Sequence, residues 1–208
     1  MATVFTVAQR KGGAGKTTLA ANLAAAFARE CRVATIDIDP QRSLARWHAL
    51  RAQAQGAPAI HLADLSGWRL PAEIARLRRS HDLIIVDSPP QIDTDAKLAI
   101  RGADLVLVPV QPSPPDLWAA EATLKLAAGE GRHASIVLNR APASGKLRRE
   151  VERDIAAKSF AVMRTTLGNR TGFAGAFARG LGITETEPNS VGGRELAALA
   201  AELRERLG

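Results

Sequence analysis

One stretch near the start of the chain limits what it can fold into: Gln9-Arg10-Lys11-Gly12-Gly13-Ala14-Gly15-Lys16-Thr17-Thr18. Val4–Val7 before it reads as a short buried strand, and Leu19, Leu23, Ala26 and Phe27 after it recur at helical spacing. Strand, glycine-rich turn, Lys-Thr and helix form the order that a phosphate-cradling loop requires. The glycines let the backbone curl so that several N–H groups converge on one anion. The new helix adds unpaired N–H groups and the positive end of its dipole. Gly12, Gly13, Ala14, Gly15 and Thr18 would then wrap a nucleotide. Lys16 would supply a point charge to the β- and γ-phosphates, and the Thr17 hydroxyl a ligand for Mg²⁺.

Two later strands end in acids. Val33–Ile38 runs into Asp37 and Asp39 before Pro40-Gln41, and Leu83-Ile84-Ile85-Val86 runs into Asp87. In open α/β sheets ligands bind at the carboxyl ends of the strands. Asp37 and Asp39 alternate onto one face of their strand. Carboxylates beside a phosphate loop suit the water shell of Mg²⁺ and the attacking water. Asp87 after four apolar residues fits a group that holds a metal-bound water.

The rest of the chain alternates short apolar runs with amphipathic stretches, which predicts a three-layer α/β/α domain with a mostly parallel twisted sheet. At 208 residues the chain suits a single domain, 1–208. Further strands are expected at Ala59–Leu62, Leu105–Val108 and Ser135–Leu138. Helices are expected over Arg42–Ala54, Pro71–Arg79, Leu117–Ala128, Lys146–Lys158, Asn169–Arg179 and Arg194–Leu207. Trp47, Trp68, Trp118 and Leu124 are expected to pack inward, and Phe173 and Phe177 to anchor their helix. Pro109-Val110-Gln111-Pro112-Ser113-Pro114-Pro115 is a stiff loop poor in backbone donors. It fits either a connector or an apolar wall for a planar base. Asn139, closing the strand Ser135–Leu138, offers both a donor and an acceptor. It fits an adenine edge or an ordinary strand end.

The lone cysteine, Cys31, excludes an internal disulfide and argues against an iron–sulfur cluster. The four histidines are scattered without acids or cysteines at ligand spacing. No apolar stretch is long enough for a membrane span, and no signal peptide precedes the first strand. A cytoplasmic location is expected. The net charge of +7 favours a polyanionic partner. Within 140–179 nine cations face three acids, so this segment carries six of the net seven charges. Arg148, Arg149, Lys158, Arg164, Arg170 and Arg179 are the candidates for phosphate contacts without base readout. A solvated basic face fits the same composition.

Arg10 stands where the general phosphate-loop pattern has its first glycine, and Lys11 is an added lysine. The form Lys-Gly-Gly-x-Gly-Lys-Thr resembles the deviant Walker A motif of the ParA/MinD class of P-loop ATPases. Asp37-x-Asp39-Pro-Gln resembles the same class, and the proline-rich loop resembles its short, ParF-like members, whose prolines, here Pro112, line the adenine pocket. The resemblance implies an ATPase using ATP and Mg²⁺, with Lys11 reaching the nucleotide of a second subunit and Asp39 beside the nucleophilic water. Asn139 would contact the base, and Ser88–Ile92 would sense the γ-phosphate. It implies an ATP-dependent homodimer that binds nonspecific DNA on the nucleoid, moves a plasmid, chromosome or protein cargo, and is stimulated by a ParB-like or ParG-like partner. The chain begins almost at its first strand, so no N-terminal operator-binding domain is expected. A MinD-like membrane switch is the alternative. It is disfavoured because the tail helix balances its arginines with glutamates and lacks aromatics. An adaptor with a structural ATP site is a third reading. A related tyrosine autokinase is excluded, because the chain has no tyrosine.

Overall fold

The computed structural model describes residues 2–90 and 94–205. Six strands form one parallel sheet: β1 (Thr3–Val7), β2 (Val33–Asp37), β3 (His61–Asp64), β4 (Leu83–Asp87), β5 (Leu105–Val110) and β6 (Ala134–Leu138), in spatial order β3-β2-β4-β1-β5-β6. Parallel neighbours need crossovers, and these are α1 (Lys16–Phe27), α2 (Ser43–Arg51), α3 (Leu70–Leu77), α4 (Thr94–Gly102) and α5 (Pro114–Gly129). After β6 come α6 (Lys146–Ala157), α7 (Thr171–Phe177), α8 (Ile183–Thr186) and α9 (Val191–Glu205).

Period-two alternation along the buried strands divides the core in two. Phe5, Val7, Leu83, Ile85, Leu107 and Val137 face α1, α7, α8 and α9. Val4, Ile36, Ile84 and Val86 face α3 and α4, while Val106, Val108, Val110, Ile136 and Leu138 face α4, α5 and α6. Both faces are covered, so the strands read as continuous apolar runs. The apolar stripe of α9 (Leu196, Leu199, Ala200, Leu203) lies in this core. Leu207, expected on the same stripe, lies outside the described residues. No helix among the described residues is long and apolar enough to cross a membrane.

Several expectations shift. β3 starts two residues late, and α4 and α8 had no clear pattern to announce them. α5 begins inside the proline-rich loop: Pro114 and Pro115 fill its first turn, where a missing N–H costs nothing, and the Ser113 hydroxyl accepts from the Asp116 N–H at 3.4 Å. Trp47 is fully buried beside Leu44 and Phe177. Trp68 and Trp118 do not pack inward: they are 75% and 65% exposed. Trp118 lies opposite the buried stripe Asp116, Leu117, Ala120, Thr123 and Leu124. Phe173 and Phe177 are half-buried, and Ala176 is the fully buried residue of α7.

One buried ion pair ties the end of α2 to α8. Arg51 donates to both Glu185 oxygens, at 2.7 and 2.9 Å, and to the carbonyls of Pro58 and Gly180. Gly180, at φ +69°, permits the two backbones to lie this close, since a Cβ there would lie 2.1 Å from the Arg51 backbone nitrogen. Removing one partner of a buried pair strands the other charge. Glu185→Ala should therefore lower unfolding stability by about 3–5 kcal/mol in urea titration. A loss below about 1 kcal/mol would show that Arg51 is satisfied by carbonyls alone.

Candidate nucleotide site

Register aligns the site. Val7 of β1 and Asp37 of β2 both pair with Asp87 of β4, so three strands end at one level. From that edge Ala8–Gly15 curls back over α1, with Gly13 at φ +78° and Gly15 at φ +91°. A Cβ on Gly15 would meet Asn139 Nδ2 at 2.6 Å as well as adopting a strained conformation. The loop is held by side chains that donate to its outward carbonyls. Asn139 Nδ2 reaches Ala14 O at 2.9 Å, Gln111 Nε2 reaches Gly13 O at 3.0 Å and Arg140 Nη1 reaches it at 3.2 Å. Tying those carbonyls outward leaves the N–H groups free for an anion.

A cavity of about 270 Å³ lies over the loop, lined by Gly12, Gly13, Gly15, Lys16, Thr17, Thr18, Asp39, Gln41, Ser43, Pro90, Arg140 and Phe177. It brings together the expected Gly12, Gly13, Gly15, Lys16, Thr17, Thr18 and Asp39; Ala14 is buried and, like Asp37 and Asp87, does not line the cavity. Lys16 is buried, and desolvation lowers its pKa against the opposing pull of Asp87 and Asp39. Asp87 is fully buried, and neither of its oxygens has a well-formed hydrogen bond among the described residues. Burial, reinforced by Asp37, pushes its pKa up to about 8 against the Thr17 hydroxyl and Lys16. A hard, oxygen-only donor set with an unpartnered buried carboxylate fits Mg²⁺ and its water shell. Asp87 and Thr17 would hold it.

Asp37 also has a structural task. Its oxygens accept the backbone N–H groups of Asp39 (3.0 Å) and Ala45 (2.9 Å), so it fixes the loop that carries Asp39 and the first turn of α2. Burial raises its pKa, offset by these two bonds. Asp39 is half-buried, accepts from Gln41 N at 2.9 Å, and faces the loop across the cavity.

The added lysine is held within its own subunit. Lys11 Nζ is paired with Asp116 Oδ2, which also accepts from the Ser113 hydroxyl at 2.6 Å. Asp116 is buried, while Lys11 remains partly exposed. Sequence reasoning missed Asp116; Ser113-Pro-Pro-Asp116, with acid three residues after a helix-capping serine, is its local signal. Of Ser88–Ile92, residues 91 and 92 lie outside the described residues, and the Ser88 hydroxyl donates to Val7 O at 3.0 Å.

A second cavity of about 280 Å³ adjoins the first, lined by Thr18, Leu19, Asn22, Asn139, Arg140, Leu167–Thr171, Phe173, Ala174 and Leu196. Its size and mostly apolar lining suit a nucleobase. Asn139 is there as expected, with one N–H already committed to Ala14. Pro112 is not: it is buried and lines neither cavity. The wall comes instead from 167–174. The residues just before it, 161–167, run along β6, through Ile136 N to Ala161 O, Met163 N to Ile136 O and Leu167 N to Leu138 O.

The basic surface is also redrawn. Arg148 pairs with Glu152 at 2.8 Å, Lys158 with Glu121 at 2.9 Å, Arg164 with Glu205 at 2.5 Å and Arg170 with Glu195 at 2.8 Å. Arg170 belongs to the base-sized cavity. Arg149 and Arg179 have no ion pair among the described residues; Arg179 donates to Gly175 O. Arg153 beside Arg149 on α6 is likewise without an ion pair among them.

The Asp87 carboxyl is protonated more readily in the folded chain than at its ordinary 3.8, so its contribution to stability is full below about pH 4 and lost as pH rises through 8. Asp87→Asn removes the buried charge and keeps the shape. Without nucleotide, its melting temperature should exceed the wild type's by an amount that grows from pH 5 to pH 8. The gain at pH 8 should reach about 1–3 kcal/mol, and nucleotide with Mg²⁺ should stabilise this variant much less. A gain independent of pH would refute the assignment.

Comparison with known proteins agrees with this geometry. Residues 5–183 match the family model described as the CobQ/CobB/MinD/ParA nucleotide binding domain. The maintenance of carboxysome distribution protein A of Halothiobacillus neapolitanus is 31% identical over 188 residues, 85% of this chain and 84% of that protein. Apo McdA of Cyanothece superposes with TM-score 0.82 at 18% identity, covering 100% of both chains. The septum site-determining protein MinD of Pyrococcus horikoshii, in complex with Mg-ADP, superposes with TM-score 0.81 at 19% identity, covering 100% of this chain and 98% of that one. With the lysine-bearing loop, the aligned acids and the parallel sheet in place, the chain belongs to the CobQ/CobB/MinD/ParA nucleotide-binding family.

Proposed function

We propose that this chain is an ATP-driven positioning switch. ATP with Mg²⁺ occupies the cradle Gly12–Thr18, two copies close face to face, and the closed pair holds nonspecific DNA until hydrolysis releases it. The observation that carries this reading is the resting place of Lys11. The loop holds two lysines; Lys16 points into the cradle, while Lys11 is turned away from it onto Asp116. A cation beside the cradle that does not serve its own phosphates suits a triphosphate brought by a second copy. ATP then acts as a ligand with different contacts in two states.

In the closed state Lys16 and the loop N–H groups hold the β- and γ-phosphates, and Asp39 orients the attacking water. Thr17 and Asp87 would hold Mg²⁺, which would supply positive charge against that developing on the phosphates. Lys11 of the second copy adds positive charge where the γ-phosphate departs. Pairing two copies doubles the cationic surface, so DNA affinity rises through avidity as well as charge. Arg149 and Arg153 of α6, with Arg179, have no ion pair among the described residues and would present that field.

The cargo is a protein assembly or a nucleic acid, and a partner protein stimulates turnover by ordering Lys11. The relative that maintains carboxysome distribution supports a protein cargo. A membrane-surface role for the tail has less support, since the apolar stripe of α9 is in the core.

Sizing chromatography with a non-hydrolysable ATP analogue, followed by DNA retention at increasing salt, tests the reading. The wild type should form an analogue-dependent dimer whose DNA binding falls steeply with salt. Lys11→Ala should still bind nucleotide, yet stay monomeric and lose partner-stimulated hydrolysis by ~10³-fold or more. A Lys11→Ala protein that dimerises normally would sink the proposal. Asp39→Ala should dimerise, hydrolyse slowly and accumulate on DNA; undiminished turnover would remove Asp39 from its role.

A further inference from the structure

Arg140 differs from the other basic residues of its segment. It follows Asn139 at the carboxyl edge of the sheet and adopts φ +49°, a left-handed conformation that side chains other than glycine rarely take. Flanking backbone bonds hold it there: Asn139 N donates to Val110 O at 2.9 Å, and Ala141 N to Leu167 O at 3.0 Å. Strain kept by its surroundings collects at functional sites. Arg148, Lys158, Arg164 and Arg170 each have an acidic partner. Arg140, like Arg149, Arg153 and Arg179, has no ion pair among the described residues, and of these four it alone lines the nucleotide cavities. Its guanidinium donates from Nη1 to Gly13 O at 3.2 Å, its one hydrogen bond to the described residues, and the residue is exposed.

Position gives this cation a purpose. Thr18 and Arg140 are the two residues that line both cavities. A nucleotide with its base in one cavity and its terminal phosphates in the other must pass its sugar and α-phosphate between them. The fork of a guanidinium can keep one N–H on the Gly13 carbonyl and offer two others to a phosphate oxygen pair. We infer that Arg140 is a nucleotide-binding residue that contacts the α-phosphate while fastening the cradle. This rests on the nucleotide reading above and adds to it a residue indifferent to the γ-phosphate. Arg140 therefore sets affinity for diphosphate and triphosphate alike, and takes no part in the choice between open and closed states.

Calorimetric titration of ADP and AMPPNP, each with Mg²⁺, into the wild type, Arg140→Gln and Arg140→Lys tests the inference. Arg140→Gln should weaken both nucleotides about tenfold, the scale of one lost charge-assisted contact. Arg140→Lys should recover part of the loss. At saturating ATP the partner-stimulated kcat should stay within twofold, with the change confined to KM. If Arg140→Gln folds poorly, Arg140→Gly serves instead. It relieves the positive φ, so it should melt no lower than the wild type and still bind ADP about tenfold more weakly. ADP affinity within twofold of wild type in these variants would overturn the inference. So would a loss confined to AMPPNP or to kcat, which would place the guanidinium at the γ-phosphate. Intact ADP affinity with lost DNA retention would assign Arg140 to the nucleic-acid face instead. Each of these leaves the positioning-switch reading standing; a wild type that binds neither nucleotide would end both.

Discussion

The register of three parallel strands is the constraint on which the site depends. Because Val7, Asp37 and Asp87 sit at one level of the sheet, the chain leaves β1, β2 and β4 within reach of a single small ligand. A slip of one residue in β4 would turn Asp87 to the other face and bury an apolar residue where a metal's water shell belongs. The slip is prevented by the core: Ile84 and Val86 fill one layer, Leu83 and Ile85 the other. Packing that excludes water from both faces thus also isolates Asp87, and the desolvated carboxylate is the cost of placing it there.

What was legible in the sequence was local. The loop Lys11–Thr18, the strands that precede and follow it, and the acids after β2 and β4 are each specified within ten residues of chain, by period and by side-chain chemistry. Acid partners were not legible. Composition put six of seven net charges in one segment, but Glu121, Glu195, Glu202 and Glu205 come back to it from α5 and α9. Charge counted along a chain describes a surface only if the fold brings no counter-charge to it. The same reason explains Pro112. A stiff loop near the sheet edge is a fair candidate wall for a base, yet the base-sized cavity is lined by 167–174, which 161–167 carries there by running along β6. Nothing in the residues of that segment announces the pairing.

The tryptophans show where a pattern can mislead. Trp47 meets Leu44 and Phe177 within a small cluster and is fully buried. Trp118 falls on the outer side of α5 because the apolar residues Leu117, Ala120, Leu124 and Ala127 turn the opposite side inward. Asp116, not Trp118, lies on that inward side. The serine that caps the first turn also hydrogen-bonds the Asp116 carboxylate that pairs with Lys11.

That pairing has an energetic consequence for switching. Asp116 is buried, and Lys11 with the Ser113 hydroxyl supplies its side-chain partners, while its other oxygen has none among the described residues. Withdrawing Lys11 leaves a buried carboxylate held by one hydroxyl, which is unfavourable. In the proposed closed state the lysine must therefore gain more from a second copy's triphosphate than it loses at Asp116. A ligand shifts a two-state equilibrium only by its differential contact. ADP, which lacks the γ-phosphate, offers the lysine less, so an ADP-bound subunit keeps its ion pair and remains apart. On this account the threshold between the two nucleotides is set inside each subunit, by the strength of one acid's hold on one lysine.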